Sequence, residues 1–274
     1  MAVTETAYAK INLALHIRGR RDDGYHELET LFAFVDQGDV LTAHAADQDQ
    51  VTVAGEFGGA LTDPFGNIVT HALGKLRRSN GLCITLEKNL PVAAGLGGGS
   101  ADAGAIFRIV RAIHGLPDDW QARAAALGAD VPACVDSLTC IGRGTGTELE
   151  PIESDLTGTA VLLVNPRVPL ATGPVFKAWA SVGDGQDRGA MPEGTASVIA
   201  QNGRNDLEAP AISLCPQIAT ILTALQGTEP FLSRMSGSGA TCFALYRSHD
   251  VMREAAEKLA LDHPGWWQMS GRLR

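Results

Sequence analysis

The chain has 274 residues, 45% of them apolar and 19% charged. That balance can bury a sizeable core and excludes disorder, collagen and coiled coil as descriptions of the whole chain. Twenty-two Lys and Arg against 31 Asp and Glu leave a net charge of −9. This acidity argues against a general nucleic-acid binder, but not against a small anionic substrate held by local cations and backbone N–H groups.

The length allows one large domain or two ordinary ones. No apolar run approaches the ~18 residues of a membrane span, and residues 1–10 carry no basic segment followed by an apolar run. Neither a membrane anchor nor a signal peptide is therefore expected. Cys83, Cys134, Cys140, Cys215 and Cys242 stand apart with no C-x-x-C spacing, as expected of reduced cysteines in a cytoplasmic protein. The seven histidines show no H-x₃₋₅-H or H-E-x-x-H spacing, so a structural zinc site is not expected.

In chain order, Ala9, Ile11, Leu13, Leu15 and Ile17 alternate with Lys10, Asn12 and His16. This period of two predicts a half-buried strand with Lys10 and Asn12 side by side on its less apolar face. A charged turn over 18–24 follows, then strands over 29–35, 40–44 and 50–54. Asn67 is placed to cap a helix from Ile68 to about Arg78. A strand over 82–88 leads into the glycine-rich loop 91–99 and a helix over 100–114, closed by Gly115. A helix over 118–127 and a strand over 138–141 complete the first half, and a boundary is expected between residues 152 and 153. Beyond it come a strand over 160–164, helices over 215–226 and 250–261, and strands over 231–235 and 241–246. Residues 183–194, rich in Gly, Asp and Pro, are expected to form a mobile surface loop. The two halves read as mixed α+β domains.

The loop Pro91-Val92-Ala93-Ala94-Gly95-Leu96-Gly97-Gly98-Gly99-Ser100-Ala101 carries the first chemistry. Glycines let the backbone approach an anion without Cβ interference. The helix start adds N–H donors and a partial positive charge, which together make a phosphate cradle. Ser100 is expected to cap the helix or to offer its hydroxyl to a phosphate or metal ion. The loop lacks the G-K-[ST] of a Walker A motif and is not set in a β-α-β repeat, so neither a P-loop nor a dinucleotide fold is indicated. The alternative is a plain turn and helix cap. A second cluster, Ser236-Gly237-Ser238-Gly239, reads as a hairpin turn or as a second wall of the same phosphate site.

With these loops stand Ala9-Lys10-Ile11-Asn12-Leu13, Asp23-Gly24-Tyr25-His26-Glu27-Leu28, Gly128-Ala129-Asp130-Val131-Pro132 and Asn205-Asp206-Leu207-Glu208. On these stretches, whose order spans nearly the whole chain, the sequence resembles the GHMP kinases. This family of small-molecule kinases is named for galactokinase and the homoserine, mevalonate and phosphomevalonate kinases. Their phosphate loop has the form P-x-x-x-G-L-G-S/G-S/G, matched at Pro91 to Gly99. The D-G-Y-H stretch is similar to that of members whose acceptor is a cytidine-diphosphate-linked methylerythritol. Ala101 departs from the pattern, standing where many relatives have a second serine.

The resemblance implies an α+β fold with a mixed N-terminal α/β domain (1–152), a ferredoxin-like C-terminal domain (153–274) and an active site in the cleft. It implies transfer of the γ-phosphoryl of ATP to the 2-hydroxyl of the erythritol unit. Mg²⁺ is inferred from ATP chemistry alone. Asp130 is implied as catalytic base and Lys10 as its cationic partner near the acceptor hydroxyl. Asn12 is a candidate acceptor contact and Asn67 a contact on the adenine side. Tyr25 and His26 are implied at the cytidine end, with Phe176 as the opposite face of a base sandwich. Read without the resemblance, Asp130 is a loop or capping residue, Lys10 a solvated strand lysine, Tyr25-His26 an exposed turn and Phe176 a core aromatic. The partner expected is a small cytidine diphosphate substrate, with no nucleic acid and no membrane. Other readings are a kinase or decarboxylase for another small alcohol, or a nucleotide-binding regulator without turnover.

Overall fold

A computed structural model of the chain describes residues 2–61, 67–182 and 186–274. The fold is α+β, in two compact units that interleave along the sequence. The first comprises Met1–Ala9, Gln37–Val92 and Gly97–Ser137, and the second Lys10–Asp36, Ala93–Leu96 and Leu138–Arg274. This division differs from a single cut between residues 152 and 153, because two long strands, β1 (Val3–Arg20) and β2 (His26–Ala46), each run through both units. No helix among the described residues is long and apolar enough to cross a membrane.

The long strands also correct the strand reading. The expected break between 35 and 40 does not occur: β2 continues through Asp36-Gln37-Gly38-Asp39. Two of those polar groups have partners, since Asp36 accepts the Arg272 N–H at 2.8 Å and Asp39 is fully buried against a lysine. β1 is covered on both faces along its middle, so Lys10, Asn12 and His16 are buried, not half-solvated.

In the first unit, β3 (Gln50–Ala54) lies parallel to β4 (Gly81–Glu87), and β4 pairs antiparallel with the second half of β2. The helices are α1 (Ile68–Lys75), α2 (Gly98–His114), α3 (Trp120–Ala125) and α4 (Val131–Asp136). Asn67 caps α1 as expected, its Oδ1 accepting the Val69 N–H at 2.9 Å. The helix stops short of Arg78, whose guanidinium donates to the carbonyls of Leu73 and Leu76 and satisfies the helix end. α2 is apolar along Ala101, Ala105, Ile106, Phe107 and Ile109 and packs on α1 and α4. Within that packed face, Arg108 donates to Glu5, to the Thr6 and Cys134 carbonyls and to Ser137. A buried guanidinium with its N–H groups engaged satisfies the demand that buried charge be partnered.

In the second unit, β5 (Cys140–Gly144) pairs with the first half of β2, and β6 (Glu148–Pro151) with β5. A second, antiparallel sheet holds β7 (Ala160–Asn165), β8 (Leu232–Met235), β9 (Cys242–Tyr246) and β10 (Trp267–Arg272) in the order β10-β7-β9-β8. The helices are α5 (Thr172–Val182), α6 (Ala196–Asn202), α7 (Glu208–Leu214), α8 (Gln217–Gln226) and α9 (His249–Asp262). Strand order and the β-α-β-β-α-β sequence are those of a ferredoxin-like sheet with extra helices in its first crossover. Its core gathers Leu162, Val164, Ile218, Ile221, Leu225, Cys242 and Tyr246.

The loop expected over 183–194 begins outside the described residues, and its described part is tied down. Asp187 pairs with Arg18 at 3.0 Å, the Gly189 carbonyl lies 3.3 Å from His16 Nδ1, and the Met191 N–H donates to Glu29 at 2.6 Å. Polar composition signalled a free loop, but the partners are on β1 and β2, far away in sequence.

Candidate active site

Residues 93–96 of the phosphate loop belong to the second unit and residues 97–99 to the first. In the second unit, every carbonyl of residues 93–96 accepts a hydrogen bond. Ala93 accepts from the Leu170 N–H, Ala94 from the Thr241 N–H and Leu96 from the Lys10 N–H, while Gly95 accepts from Ser236 Oγ at 2.8 Å. The negative ends of these peptides are therefore taken up by the protein. Gly95 has φ +74°, and an added methyl would stand 2.3 Å from the Ser236 carbonyl. The two glycine clusters thus touch, backbone to backbone. Asn205 holds the second one, its amide donating to the Met235 and Gly237 carbonyls at 2.8 Å each. Glu208 adds an acceptor for the Met235 N–H. The Asn205-to-Glu208 stretch is a brace for this turn.

In the first unit, the loop becomes α2. Gly97, at φ 60° and ψ 23°, is the capping residue, a left-handed conformation that glycine adopts without Cβ strain. Ser100 therefore lies in the first turn and does not cap the helix. The N–H groups of this first turn have no partner within the helix by geometry, and the turn carries no acidic side chain, so an anion there meets the positive end of a 17-residue dipole. Ala101 has little to add: its methyl is buried and its N–H donates to the Gly97 carbonyl at 2.7 Å. Pro91 is buried and has no N–H.

Beneath this turn lies a charged group that the sequence reading missed. Lys88 donates to Asp39 and, at 2.7 Å, to Asp102, and all three side chains are at most 3% exposed. An added methyl at Gly98 would stand 3.2 Å from Lys88 Nζ. Asp39 also accepts the N–H groups of Asn89 and Leu90, the setting of an ionised carboxylate. Asp102 accepts from Lys88 on one oxygen and, among the described residues, has no hydrogen-bond partner on the other. Burial, opposed by Lys88 and reinforced by Asp39, pushes its carboxyl up to about 8. One cation thus neutralises one carboxylate, and Asp102 is held as the acid.

Asp130 is half-buried at the start of α4, where its carboxylate does not cap the helix. The neighbouring Gly128 faces Ser100, whose Oγ lies 3.9 Å from where a side chain on that glycine would begin. Asn67, having spent its oxygen on the α1 cap, leaves a buried Nδ2 without a partner among the described residues.

In the second unit, Lys10 Nζ donates to Asn12 Oδ1 at 2.9 Å and lies 4.9 Å from the centre of the Phe32 ring. Asn12 Nδ2 donates to Thr30 at 2.8 Å, and the Asn12 N–H to Ser236 Oγ at 3.2 Å. Both ends of the Asn12 amide thus have protein partners. Elsewhere in the unit, His26 stacks on Phe176 at 4.7 Å and meets the edge of Trp179 at 5.4 Å. Phe176 also packs against the unit's core, so one face of the ring expected in a base sandwich is already taken by the imidazole. His26 Nε2 is buried with no partner among the described residues, and burial, helped by Arg20, lowers the imidazole below its ordinary value. Tyr25 is 67% exposed at the end of a turn closed by Asp23, which accepts its N–H at 3.0 Å.

Residues 67–137 match the model of the GHMP kinases N-terminal domain, and residues 192–263 that of the GHMP kinases C-terminal domain. The chain is 63% identical over 272 residues to a 4-diphosphocytidyl-2-C-methyl-D-erythritol kinase from Erythrobacter litoralis, covering 99% of this chain and all of that one. The chain belongs to the GHMP kinase family. A second kinase of the same description, from Novosphingobium aromaticivorans, is 67% identical over all of this chain and 94% of its own. A crystal structure of 4-(cytidine 5'-diphospho)-2C-methyl-D-erythritol kinase superposes with a TM-score of 0.83 at 30% identity, covering 99% of both chains. The two-domain α+β fold implied by the resemblance is therefore the fold of a GHMP kinase, and the chain is an ATP-dependent small-molecule kinase.

Sequence reasoning missed Thr30 and the Lys88–Asp39–Asp102 group. A signal for the latter was present: an aspartate within the apolar run Ala101-Asp102-Ala103-Gly104-Ala105-Ile106 has to be partnered or protonated.

Proposed function

We infer that this chain transfers the γ-phosphoryl group of ATP to the 2-hydroxyl of 4-diphosphocytidyl-2-C-methyl-D-erythritol, in the non-mevalonate route to isoprenoid precursors. The observation that carries this reading is the whole-length likeness to two kinases of that description. The donor side fits the nucleotide. The first-turn N–H groups over Gly98, Gly99 and Ser100 are suited to its phosphates, and the orphaned Nδ2 of Asn67 to a polar group on the adenine side. Asp130 accepts the acceptor's hydroxyl proton as its oxygen bonds to the γ-phosphorus and the bond to ADP breaks. Lys10 offsets the charge on the reacting oxygens, held for that work by Asn12. Tyr25, His26 and Phe176 receive the cytosine. Among the described residues no group of three or more His, Cys, Asp or Glu could hold a metal ion. Mg²⁺, inferred from ATP chemistry alone, would neutralise charge on the phosphates when bound. The free thiols at all five cysteines suit a cytoplasmic location.

An ADP-release assay tests the reading. Turnover is expected with the cytidine substrate and not with mevalonate, homoserine or galactose, and equal activity on mevalonate would overturn the assignment. Lys10→Met and Asp130→Asn should each lower kcat by at least ~10²-fold, the lower range for acid–base catalysis. The double variant should be little worse than either, because such groups act as a unit. Near-normal kcat in folded Asp130→Asn removes it as the base.

A further inference from the structure

The direction of one short chain of hydrogen bonds can be worked out without seeing a proton. Thr30 Oγ1 lies 2.7 Å from the Ala14 carbonyl oxygen, which can only accept. The hydroxyl has a single hydrogen, so it is spent there, and Thr30 must accept in its second contact. That contact is Asn12, 2.8 Å away, and the atom facing the hydroxyl is thereby fixed as the amide nitrogen. The other end of the same amide, Oδ1, then faces Lys10 Nζ at 2.9 Å. With the amide reversed, two NH₂ hydrogens would confront an ammonium, donor against donor. Lys10, Asn12 and Thr30 are 4%, 2% and 1% exposed, so water is poorly placed to substitute for a lost partner.

We propose that Thr30 is a positioning residue for phosphoryl transfer: its hydroxyl sets the orientation of the Asn12 amide, and through it the place of the Lys10 ammonium. This inference rests on the reading of Lys10 given above. Thr30 is 1% exposed, and its hydroxyl is engaged by Ala14 and Asn12. It acts two links away, and its methyl is held on the other side, where an added side chain at Gly142 would come within 3.1 Å of Thr30 Cγ2. The Ala14 carbonyl fixes the hydroxyl proton, and the methyl lies on the Gly142 side. The Phe32 ring gives the ammonium a further, undirected contact. Without the hydroxyl, Asn12 Nδ2 loses its acceptor, and of the two contacts at the ends of the amide only the one to the ammonium remains to hold it. The ammonium then samples positions off the reacting oxygens, and small misplacements lower the rate steeply.

The test compares Thr30→Val, Thr30→Ser, Lys10→Met, Asn12→Ala and the Asn12→Ala/Thr30→Val pair, with kcat and both KM values read beside thermal unfolding. Valine matches threonine in shape and removes only the hydroxyl. Thr30→Val is expected to lose about tenfold in kcat with the KM for ATP unchanged, and Thr30→Ser to keep the wild-type kcat. The paired variant should fall no further than Asn12→Ala alone. A folded Thr30→Val with wild-type kcat overturns the proposal, as does additivity in the paired variant. A residue that only supported the fold would lower the unfolding temperature and spare kcat below it, which also overturns it. Should Thr30→Val fail to fold, Thr30→Ser decides alone: a tenfold loss there, with the hydroxyl present, is fatal to the proposal and an intact kcat upholds it. If Lys10→Met itself turns over normally, the Lys10 reading and this one fail together. If Lys10→Met is impaired and Thr30→Val is not, only this one fails.

Discussion

At the scale of single residues, the acceptor end is a question of what an aromatic ring already touches. Tyr25 presents an open ring, whereas His26 and Phe176 are engaged with each other and His26 also with Trp179. A cytosine that stacks here uses Tyr25 as a free face. It also finds His26 as a neutral imidazole whose buried Nε2 has no partner among the described residues. Tyr25→Ala should lose about 1–3 kcal/mol of cytidine diphosphate binding, the magnitude of one stacked base, with ATP affinity nearly unchanged. Calorimetry with each nucleotide measures both. Phe176→Ala should hydrate the imidazole. Since burial is the main cause of its lowered proton affinity, the His26 titration midpoint should move up, as followed by NMR of the ring protons. A midpoint that stays put would mean that Phe176 does not desolvate the ring.

At the scale of elements, two of the phosphate loop's four glycines, Gly95 and Gly97, separate support from binding. Gly95 lies against the Ser236 carbonyl, so Gly95→Ala meets backbone on both sides and should appear as a fall in unfolding temperature. Gly97 starts α2 in a left-handed conformation, so Gly97→Val should chiefly weaken ATP binding and leave the cytidine ligand's affinity much less changed. Unchanged ATP affinity by calorimetry would reduce the loop to a turn. The same comparison shows what was legible in the sequence. The glycine run, the Asn67 cap, the exact span of β3 and nearly all of β7 follow from local chemistry and alternation. The short helices α4, α6 and α7 have no side-chain cap bonds to announce them. β10 is polar at Gln268, Ser270 and Arg272 because it forms an edge of its sheet. Lys10 and the D-G-Y-H turn stood out only through family resemblance. The roles of Thr30 and Lys88 depend on strands brought together in space, since Lys88 and Asp39 are 49 residues apart.

At the scale of the whole molecule, the stability of an acidic chain should carry the mark of an aspartate that stays protonated to about pH 8. Asp102 lies under the first turn of α2 with Lys88 already shared with Asp39, and its carboxyl is pushed up to about 8 from an ordinary value of 3.8. In the unfolded chain it loses its proton near the ordinary value, whereas in the folded chain it keeps the proton until about pH 8. Between those limits the folded state binds one more proton than the unfolded state. Stability contributed by Asp102 is therefore full below the unfolded value, declines as pH rises through the interval and levels off above the folded value. Asn cannot titrate, so Asp102→Asn removes this slope whatever constant cost the substitution adds. Thermal unfolding of both proteins from about pH 5 to pH 9 reads the effect directly. The unfolding temperature of Asp102→Asn, taken relative to wild type, should climb steadily towards pH 8 and then stay level. Parallel curves across that range would mean that Asp102 is ionised in the fold, with Lys88 serving two charges at once.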